Sequence, residues 1–435
     1  MWNEEQEAVI ESPSRAKQVI AGAGSGKTTT MIGLLSANES KAKIDPKRTL
    51  IVTFTNKATD EFKTRLLKNK LSESYRISTF HAFCYQIIQE YHPIYLNQSI
   101  GILDPKDKEL FTIDYLYKDR FQIGGIPFAI LFQKNAEMFK LEYPEIYSRY
   151  ITALESWKHQ NKKLEFEDLP EILYKGLKED QDWTRKINSL FDSVIVDEFQ
   201  DTDKTQLKIL QYLKPPNITI VGDDWQAIYG FRGATPEPFL NFPEYFPETQ
   251  RFLLSTNYRS LKGIIDLSAH ALKKNQSKIP KEVRSVRAGE TSFHKIILDH
   301  PKADRFSAVV KINSLIQENS DTIMLVRSNF RKREWIQAGV NETNVMTIHA
   351  AKGLEFNTVV LDLSSGWNLP EACDQAQIEE ERRILYVAIS RAKDQIILIG
   401  RKKQKMKIGL EDEFFEYFRN FDSFAKPTLR YRLLW

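Results

Sequence analysis

The sequence predicts an α/β protein with two parallel sheets, each covered by helices, and a helical insertion in the first. Three observations carry this reading. Short apolar runs suited to buried strands alternate with helix-compatible stretches, and they do so twice. The first set is residues 16–21 (AKQVIA), 49–56 (TLIVTFTN), 191–198 (FDSVIVDE) and 218–224 (ITIVGDD); the second is 251–256 (RFLLST), 322–328 (TIMLVRS), 344–350 (NVMTIHA), 357–363 (NTVVLDL) and 394–400 (DQIILIG). Between residues 84 and 192 the strand rhythm is lost, and helical, aromatic-rich patterning such as YSRYITALESWKHQ takes over. The expected division is 1–83 and 161–249 for the two parts of the first sheet domain, 84–160 for the insertion, and 250–435 for the second sheet domain.

Composition narrows the class. A chain of 435 residues has enough length for about three domains with real cores. With Cys84 and Cys373 as its only cysteines, it suggests no disulfide framework and no cysteine-based zinc site. The start, MWNEEQEAV, is acidic and amphipathic rather than basic then apolar, and no apolar run is long enough to span a bilayer. A cytoplasmic enzyme that makes no use of membranes is expected. The 62 basic and 58 acidic residues leave a formal net charge of +4, so any nucleic-acid binding must come from local chemistry rather than bulk charge. The seven histidines show no metal-ligand spacing. The basic runs Lys273–Arg287 and Arg401–Lys407 read as solvated faces, with contact to a DNA backbone as the lesser alternative.

Residues 21–30 read AGAGSGKTTT, after a strand-like run and before helix-compatible residues. Glycine lets the backbone curl until its N–H groups point at phosphate oxygens, and the following helix adds the positive end of its dipole. Ala21, Gly22, Ala23, Gly24, Ser25, Gly26, Lys27, Thr28 and Thr29 are therefore candidate phosphate contacts. Lys27 is placed for the β- and γ-phosphates and the Thr28 hydroxyl for Mg²⁺. Ala21 stands where the generic pattern has glycine.

Downstream, Phe191–Val196 reads as a buried parallel strand that ends at Asp197 and Glu198. Ligands collect at the carboxyl ends of such strands. Asp197 is thus placed to hold Mg²⁺, and Glu198 to polarise an attacking water. The pair of motifs points to hydrolysis of a nucleoside triphosphate. The block VGDDWQAIYGFRGA (221–234), with Gly230 and Gly233 beside Phe231, presents aromatic rings at a loop, as single-strand binding requires.

Taken in order, these strings resemble the motif set of UvrD/Rep-type superfamily 1 DNA helicases across nearly the whole chain. NEEQEAVI (3–10) resembles the adenine-reading motif; VTFTNKATDEF and STFHAF resemble two early strand-contacting motifs; NYRS (257–260), VMTIHAAKGLEF (345–356) and ERRILYVAISRAK (381–393) complete the series. KKLEFEDLP (162–170) is a further family-like segment. The resemblance implies two RecA-like P-loop domains, with the insertion known as 1B in the first, and ATP with Mg²⁺ at their cleft. It implies that Gln6 reads adenine, Tyr258 stacks on the base, and Arg259 and Arg391 brace the γ-phosphate. Gln226 would sense that phosphate, while Gly353 and Glu355 would belong to a loop coupling cleft and strand. It implies stacking plates at Phe54, Tyr229 and Phe231, with Thr55, Asn56, Thr79, His81, Arg232 and His349 near the strand backbone.

Two departures and one absence qualify the likeness. Trp225 stands where an acidic residue is usual, and Ala351 where a small hydroxyl residue often sits. Only Asn341–Thr343 separate two segments between which relatives carry the large accessory domain called 2B. The segment after Lys393 is expected to be too short for a fused nuclease domain, and its EDEFFEYFRNF stretch (411–421) reads as a cap on the second domain or, as the lesser alternative, a docking point for a partner. The expected function is an ATP-dependent single-stranded DNA translocase and 3′-to-5′ helicase acting on single strands or single-strand/duplex junctions. The alternative, suggested by compact UvrD-like proteins of Gabija-type anti-phage systems, is a DNA-stimulated ATPase switch controlling a partner nuclease encoded nearby.

Overall fold

The computed structural model describes residues 2–96, 100–118, 122–123, 126–127, 132, 135–298, 303–365, 367 and 373–401. The chain forms two compact units: Met1–Ile77 with Asp192–Lys204 and Pro216–Trp435, and Ser78–Phe191 with Thr205–Pro215. The 411–421 stretch lies outside the described residues.

The first unit holds both large sheets, apart from Ser78 and Thr79 at the end of one edge strand. Strands β1 (Ala16–Ala21), β2 (Thr49–Thr53), β3 (Arg76–Thr79), β4 (Ser193–Val196), β5 (Asn217–Gly222) and β6 (Gln250–Leu254) lie in the order β6-β1-β5-β4-β2-β3. β1 pairs in parallel with β5 and β6, and β4 with β2 and β5. Every residue of β1, β2 and β4 is buried, as expected of central parallel strands covered on both faces. Met31, Leu34 and Leu35 of the helix Lys27–Ser40 pack on Val19, Ile51, Ile195 and Val221 to form this core.

The second sheet comprises β7 (Ser292–Leu298), β8 (Thr322–Val326), β9 (Val345–Thr347), β10 (Phe356–Asp362) and β11 (Ala392–Arg401), ordered β7-β11-β10-β8-β9 and parallel at every pairing. One face packs against the helix Gln375–Ile389 and the helix Lys262–Ala271. Ala23, Trp225 and Ile228, which follow strands of the first sheet, are embedded in that same core. The other face packs on the helices Ala303–Glu318 and Asn329–Gln337 through Ile312 and Trp335.

One strand corrects the sequence reading. Residues 251–256 are expected in the second sheet, but Gln250–Leu254 closes the edge of the first in register with Lys17–Ala21. Phe252 and Leu254 are the reason, since they bury beside Val19 and Ala21 while their neighbours face out. The place expected for it is taken by Ser292–Leu298, whose His294 and Lys295 interrupt the apolar run that would have marked a strand.

The second unit is mainly helical, with Phe80–Tyr91, Pro105–Lys118, Ala136–Glu142, Pro144–Gln160, Asp168–Lys178 and Asp182–Asn188 as its main helices. Leu116, Phe139, Tyr150 and Leu154 form an aromatic-lined core. The Lys163–Leu164 step of the family-like KKLEFEDLP segment pairs in parallel with Gly101–Ile102. Just before it, the buried Lys158 ammonium takes Glu155 at 2.6 Å, Asp168 at 2.7 Å and Glu165 at 3.3 Å. Those three carboxylates converge closely enough to suggest a metal, but the ammonium already fills the space they share.

Candidate nucleotide cleft and strand groove

The loop after β1 carries two residues in the left-handed region, Gly24 (φ 69°) and Gly26 (φ 82°). At Gly24 glycine is required twice over, because a Cβ there would lie 2.6 Å from the Arg259 Cβ. Gly26 caps the helix Lys27–Ser40 without any side-chain hydrogen bond, so the first N–H groups of that helix keep their donors for a ligand. The loop borders a cavity of about 510 Å³ lined from Ala23 through Thr29, joined by Asp197, Glu198, Gln226, Tyr258, Arg259, Gly353, Glu355 and Arg391. Ala21 and Gly22 are not on its wall. Ala21 is fully buried at the end of β1, and Gly22 faces Val283.

The acidic side of the cavity is set by β4. Asp197 N–H continues the ladder to Val52 O at 2.9 Å, after which Glu198 turns into the left-handed region at φ 51°. A non-glycine residue there stores strain, which is common where a side chain must be aimed. Glu198 Oε1 accepts from Lys27 Nζ at 2.8 Å and Oε2 from Gln200 Nε2 at 2.5 Å. Burial works against the Glu198 charge, but Lys27 and Lys352 outweigh it and hold its pKa below the usual carboxylate range. Burial and the adjoining Glu198 together push Asp197 upward. Asp201 is raised to about 6, by burial first and then Glu198.

Cations arrive from the second half of the chain. Tyr258 N–H donates to Gly24 O at 2.9 Å and Asn257 Nδ2 to Ala23 O at 2.6 Å, which ties this segment to the phosphate loop. The Tyr258 hydroxyl accepts from Asn3 Nδ2 at 2.8 Å, and Asn3 also caps the helix that carries Gln6. Gln6 is buried beside Gly26 but does not reach the cavity wall. Arg259 pairs with Glu355 at 2.6 Å, and Lys393 reaches the other Glu355 oxygen at 3.1 Å. Arg391 is 1% exposed. Its guanidinium donates to Val387 O, Leu354 O, Ser390 Oγ and Gln226 Oε1, at 3.0–3.1 Å. Burial and the nearby Arg259 lower its pKa to about 9, which leaves it charged at neutral pH.

A second cavity, of about 790 Å³, is bordered by Tyr229, Phe231, Arg327, Thr347, His349 and the start of the helix Gln375–Ile389. Phe54 and Tyr229 lie 4.7 Å apart at 32°, Tyr229 and Phe231 5.8 Å apart, and Phe231 meets the His349 ring edge-on at 5.4 Å. Phe231 is 68% exposed, which leaves much of its surface free for a ligand. Arg232 lies over both Tyr229 and Phe231, and His349 Nε2 meets Ile228 O at 3.2 Å. Burial keeps the His349 ring below its ordinary pKa. Thr55 caps the helix Asn56–Lys68, and both Thr55 and Asn56 are exposed. Thr79 and His81 belong to the second unit, where Thr79 caps Phe80–Tyr91 and His81 meets Phe166 edge-on at 6.1 Å. The groove is not uniformly basic. Glu380 accepts from Gly230 N–H at 2.8 Å, and Glu381 grips Arg327 through both oxygens.

Comparison with known proteins shows the family. A model of the UvrD/REP helicase N-terminal domain matches residues 2–247, and one of the UvrD-like helicase C-terminal domain matches residues 331–403. The chain belongs to the UvrD/REP helicase family. It is 31% identical over 368 residues to a probable DNA helicase II homolog of Mycoplasma capricolum, covering 77% of this chain and 50% of that protein. It is 28% identical over 352 residues to the ATP-dependent DNA helicase PcrA of Staphylococcus epidermidis, covering 76% of this chain and 48% of the relative. A probable DNA helicase of Mycoplasma pneumoniae aligns over 92% of this chain and 83% of its own length at 26% identity. The chain thus spans about half the length of the first two relatives.

In this UvrD/REP family member one central side chain escaped the sequence reading. Lys352, inside the family-like IHAAKGLEF string, sends its ammonium to Asp201 at 2.5 Å and to Gln226 O at 2.8 Å, and lies 4.8 Å from the Tyr229 ring centre. It lines the phosphate cavity and lies over the Phe54 and Tyr229 rings at once. The string itself stands out, but a lysine among small residues gives no hint of burial against a carboxylate and two aromatic rings. Trp225, the residue out of family pattern, points away from the phosphate cavity: its indole N–H donates to Ile279 O at 3.1 Å. Among the described residues no helix is long and apolar enough to cross a membrane.

Proposed function

We propose that this chain is an ATP-driven motor that steps 3′ to 5′ along single-stranded DNA and opens duplex at single-strand/duplex junctions. The observation that carries this reading is Arg391. It is a buried guanidinium bonded only to carbonyl, amide and hydroxyl oxygens, with no carboxylate partner among the described residues, on the wall shared with Lys27 and Glu198. A buried cation lacking a counter-anion is a place for one, and the terminal phosphate of a triphosphate suits its planar fork.

The other residues present fit Mg²⁺-ATP. The Ser25 hydroxyl is buried with no partner, the Thr28 hydroxyl and the Asp197 carboxylate offer hard oxygen ligands, and the crowding that raises Asp197 would be relieved by a cation. When bound, the ion would neutralise charge on the phosphates. Lys27, now paired with Glu198, would turn to the β- and γ-phosphates and release Glu198 to take a proton from the attacking water. Arg259 would exchange Glu355 for phosphate in the same way. Phe54, Tyr229 and Phe231 would stack bases, while Thr55, Asn56, Thr79, His81, Arg232 and His349 would lie along the sugar-phosphate backbone.

A specific feature favours a second reading, in which the ATPase gates a partner nuclease. The helix Asn329–Gln337 leads to β9 through residues 338–344 alone, leaving no room there for an accessory domain that would grip duplex. Streptavidin displacement separates the two. A 3′-to-5′ motor strips streptavidin from a 5′-biotinylated oligonucleotide faster than from a 3′-biotinylated one. A switch hydrolyses ATP on the same strands and displaces neither.

A further inference from the structure

The basic run Lys273–Arg287 reads as a solvated face, yet one of its lysines is hidden. The side chain of Lys281 is wholly buried, with its ammonium 2.5 Å from Asp223 and 2.7 Å from Asp224, both also fully buried. The Trp225 ring covers it, with the ammonium 4.7 Å from the ring centre. The same segment is pinned through its backbone, since Ile279 N–H donates to Asp224 Oδ2 at 2.8 Å and Ile279 O accepts from the Trp225 indole. An acidic residue at position 225 would add a third carboxylate to this site; tryptophan supplies a π face and an N–H instead. Burial opposes the Lys281 charge, but Asp223 and Asp224 outweigh it, so its pKa is raised.

From this ammonium a continuous line of buried hydrogen bonds runs to the phosphate cavity. Lys281 holds Asp223 Oδ1; Asp223 Oδ2 accepts from Gln226 Nε2 at 2.5 Å; Gln226 Oε1 accepts from Arg391 Nη2 at 3.0 Å. An ionised carboxylate can only accept, so it forces the NH₂ end of the Gln226 amide toward itself and leaves the oxygen facing Arg391. Without the ammonium, Asp223 Oδ1 loses its charged partner and the carboxylate is no longer held in this orientation. The Gln226 amide, anchored on Asp223 Oδ2, then loses the support that fixes its oxygen on the guanidinium.

We propose that Lys281 is a positioning residue for ATP hydrolysis, fixing the Gln226 amide through Asp223 so that its oxygen holds Arg391 toward the phosphates. This rests on the ATPase reading given above. The effect belongs to turnover rather than to ATP binding, because neither Lys281 nor Asp223 lines the phosphate cavity.

The test is a double-mutant cycle on the full chain with saturating oligo-dT, using Lys281→Met, Gln226→Ala and the pair. ATP turnover is read together with the dissociation constant of a fluorescent ATP analogue and the thermal midpoint. Lys281→Met is expected to lower kcat about 3- to 30-fold, the range that residues along a coupled network command. The analogue's Kd should move by less than about twofold. In the Gln226→Ala background Lys281→Met should cost no further kcat, because the link it acts through is already gone. An unchanged kcat in Lys281→Met, or an equal loss in both backgrounds, overturns the proposal. If Lys281→Met fails to melt cooperatively, the same cycle is run with Asp224→Asn/Lys281→Met, which removes one charge of each sign and keeps a side-chain oxygen at position 224 to accept from Ile279 N–H. A wild-type protein with no strand-stimulated turnover overturns the ATPase reading itself, and the inference with it.

Discussion

Truncating Phe231 to alanine separates binding from folding more cleanly than any other change in the groove. The ring is 68% exposed; its neighbours are His349 at 5.4 Å, Tyr229 at 5.8 Å and the Arg232 guanidinium 5.5 Å from its centre. About a third of a side chain of roughly 200 Å² is therefore in contact, which at ~25 cal/mol per Å² caps the stability loss near 1.5 kcal/mol. A thermal midpoint lowered by only a few degrees is expected. If the ring carries a base, its removal costs about 1–3 kcal/mol of strand affinity, a rise in Kd of roughly 5- to 150-fold. Fluorescence anisotropy of a labelled oligo-dT at one fixed salt concentration measures this, and differential scanning calorimetry measures the first quantity. Strand affinity equal to wild type would remove Phe231 from the groove's function. A large fall in midpoint alongside weak binding would mean that the ring is structural.

Other changes read other walls of the two cavities. Glu198→Gln should lower ATP turnover by about 10²–10⁴-fold while a fluorescent ATP analogue still binds, and near-normal turnover would take the general-base role away from it. Gly24→Ala forces a methyl to 2.6 Å from the Arg259 Cβ at φ 69°, so about 1–2 kcal/mol of strain and about tenfold weaker analogue binding are expected. Wild-type affinity in that variant would mean that the loop and the 257–260 segment are not held together as described. Glu380 has a raised pKa, first from burial and then from Glu381 beside it. Its charge therefore opposes folding above its unfolded pKa, and stability is regained as pH falls through the folded value. Glu380→Gln keeps an acceptor for Gly230 N–H, so it should leave the midpoint level or higher and tighten oligo-dT binding about two- to fivefold at low salt; weaker binding would contradict a strand in this groove.

The parts of this molecule written in local pattern were legible, and those decided by distant partners were not. Ala16–Ala21 and Ser193–Val196 announce themselves as apolar runs ending at glycine or at acid, and the phosphate loop and Asp197–Glu198 follow from them directly. Gln250–Leu254 is equally visible as a strand, but its sheet is chosen by Val19 and Ala21, more than two hundred residues upstream. Ser292–Leu298 was hidden by His294 and Lys295, which a half-covered edge strand can carry. The largest misreading concerns lysine. Lys281 looks like one more solvated cation until Asp223 and Asp224 close on it, and Lys352 looks inert until Asp201 and Tyr229 flank it. Burial of a charge depends on a partner that no window of sequence contains.

Coupling of the phosphate cavity to the aromatic groove is the central claim, and steady-state ATP turnover with increasing oligo-dT tests it most directly. The account predicts turnover that rises severalfold and saturates with strand, and that Lys27→Ala abolishes at every concentration. Hydrolysis at the same rate with and without oligonucleotide, or persisting in Lys27→Ala, would contradict it.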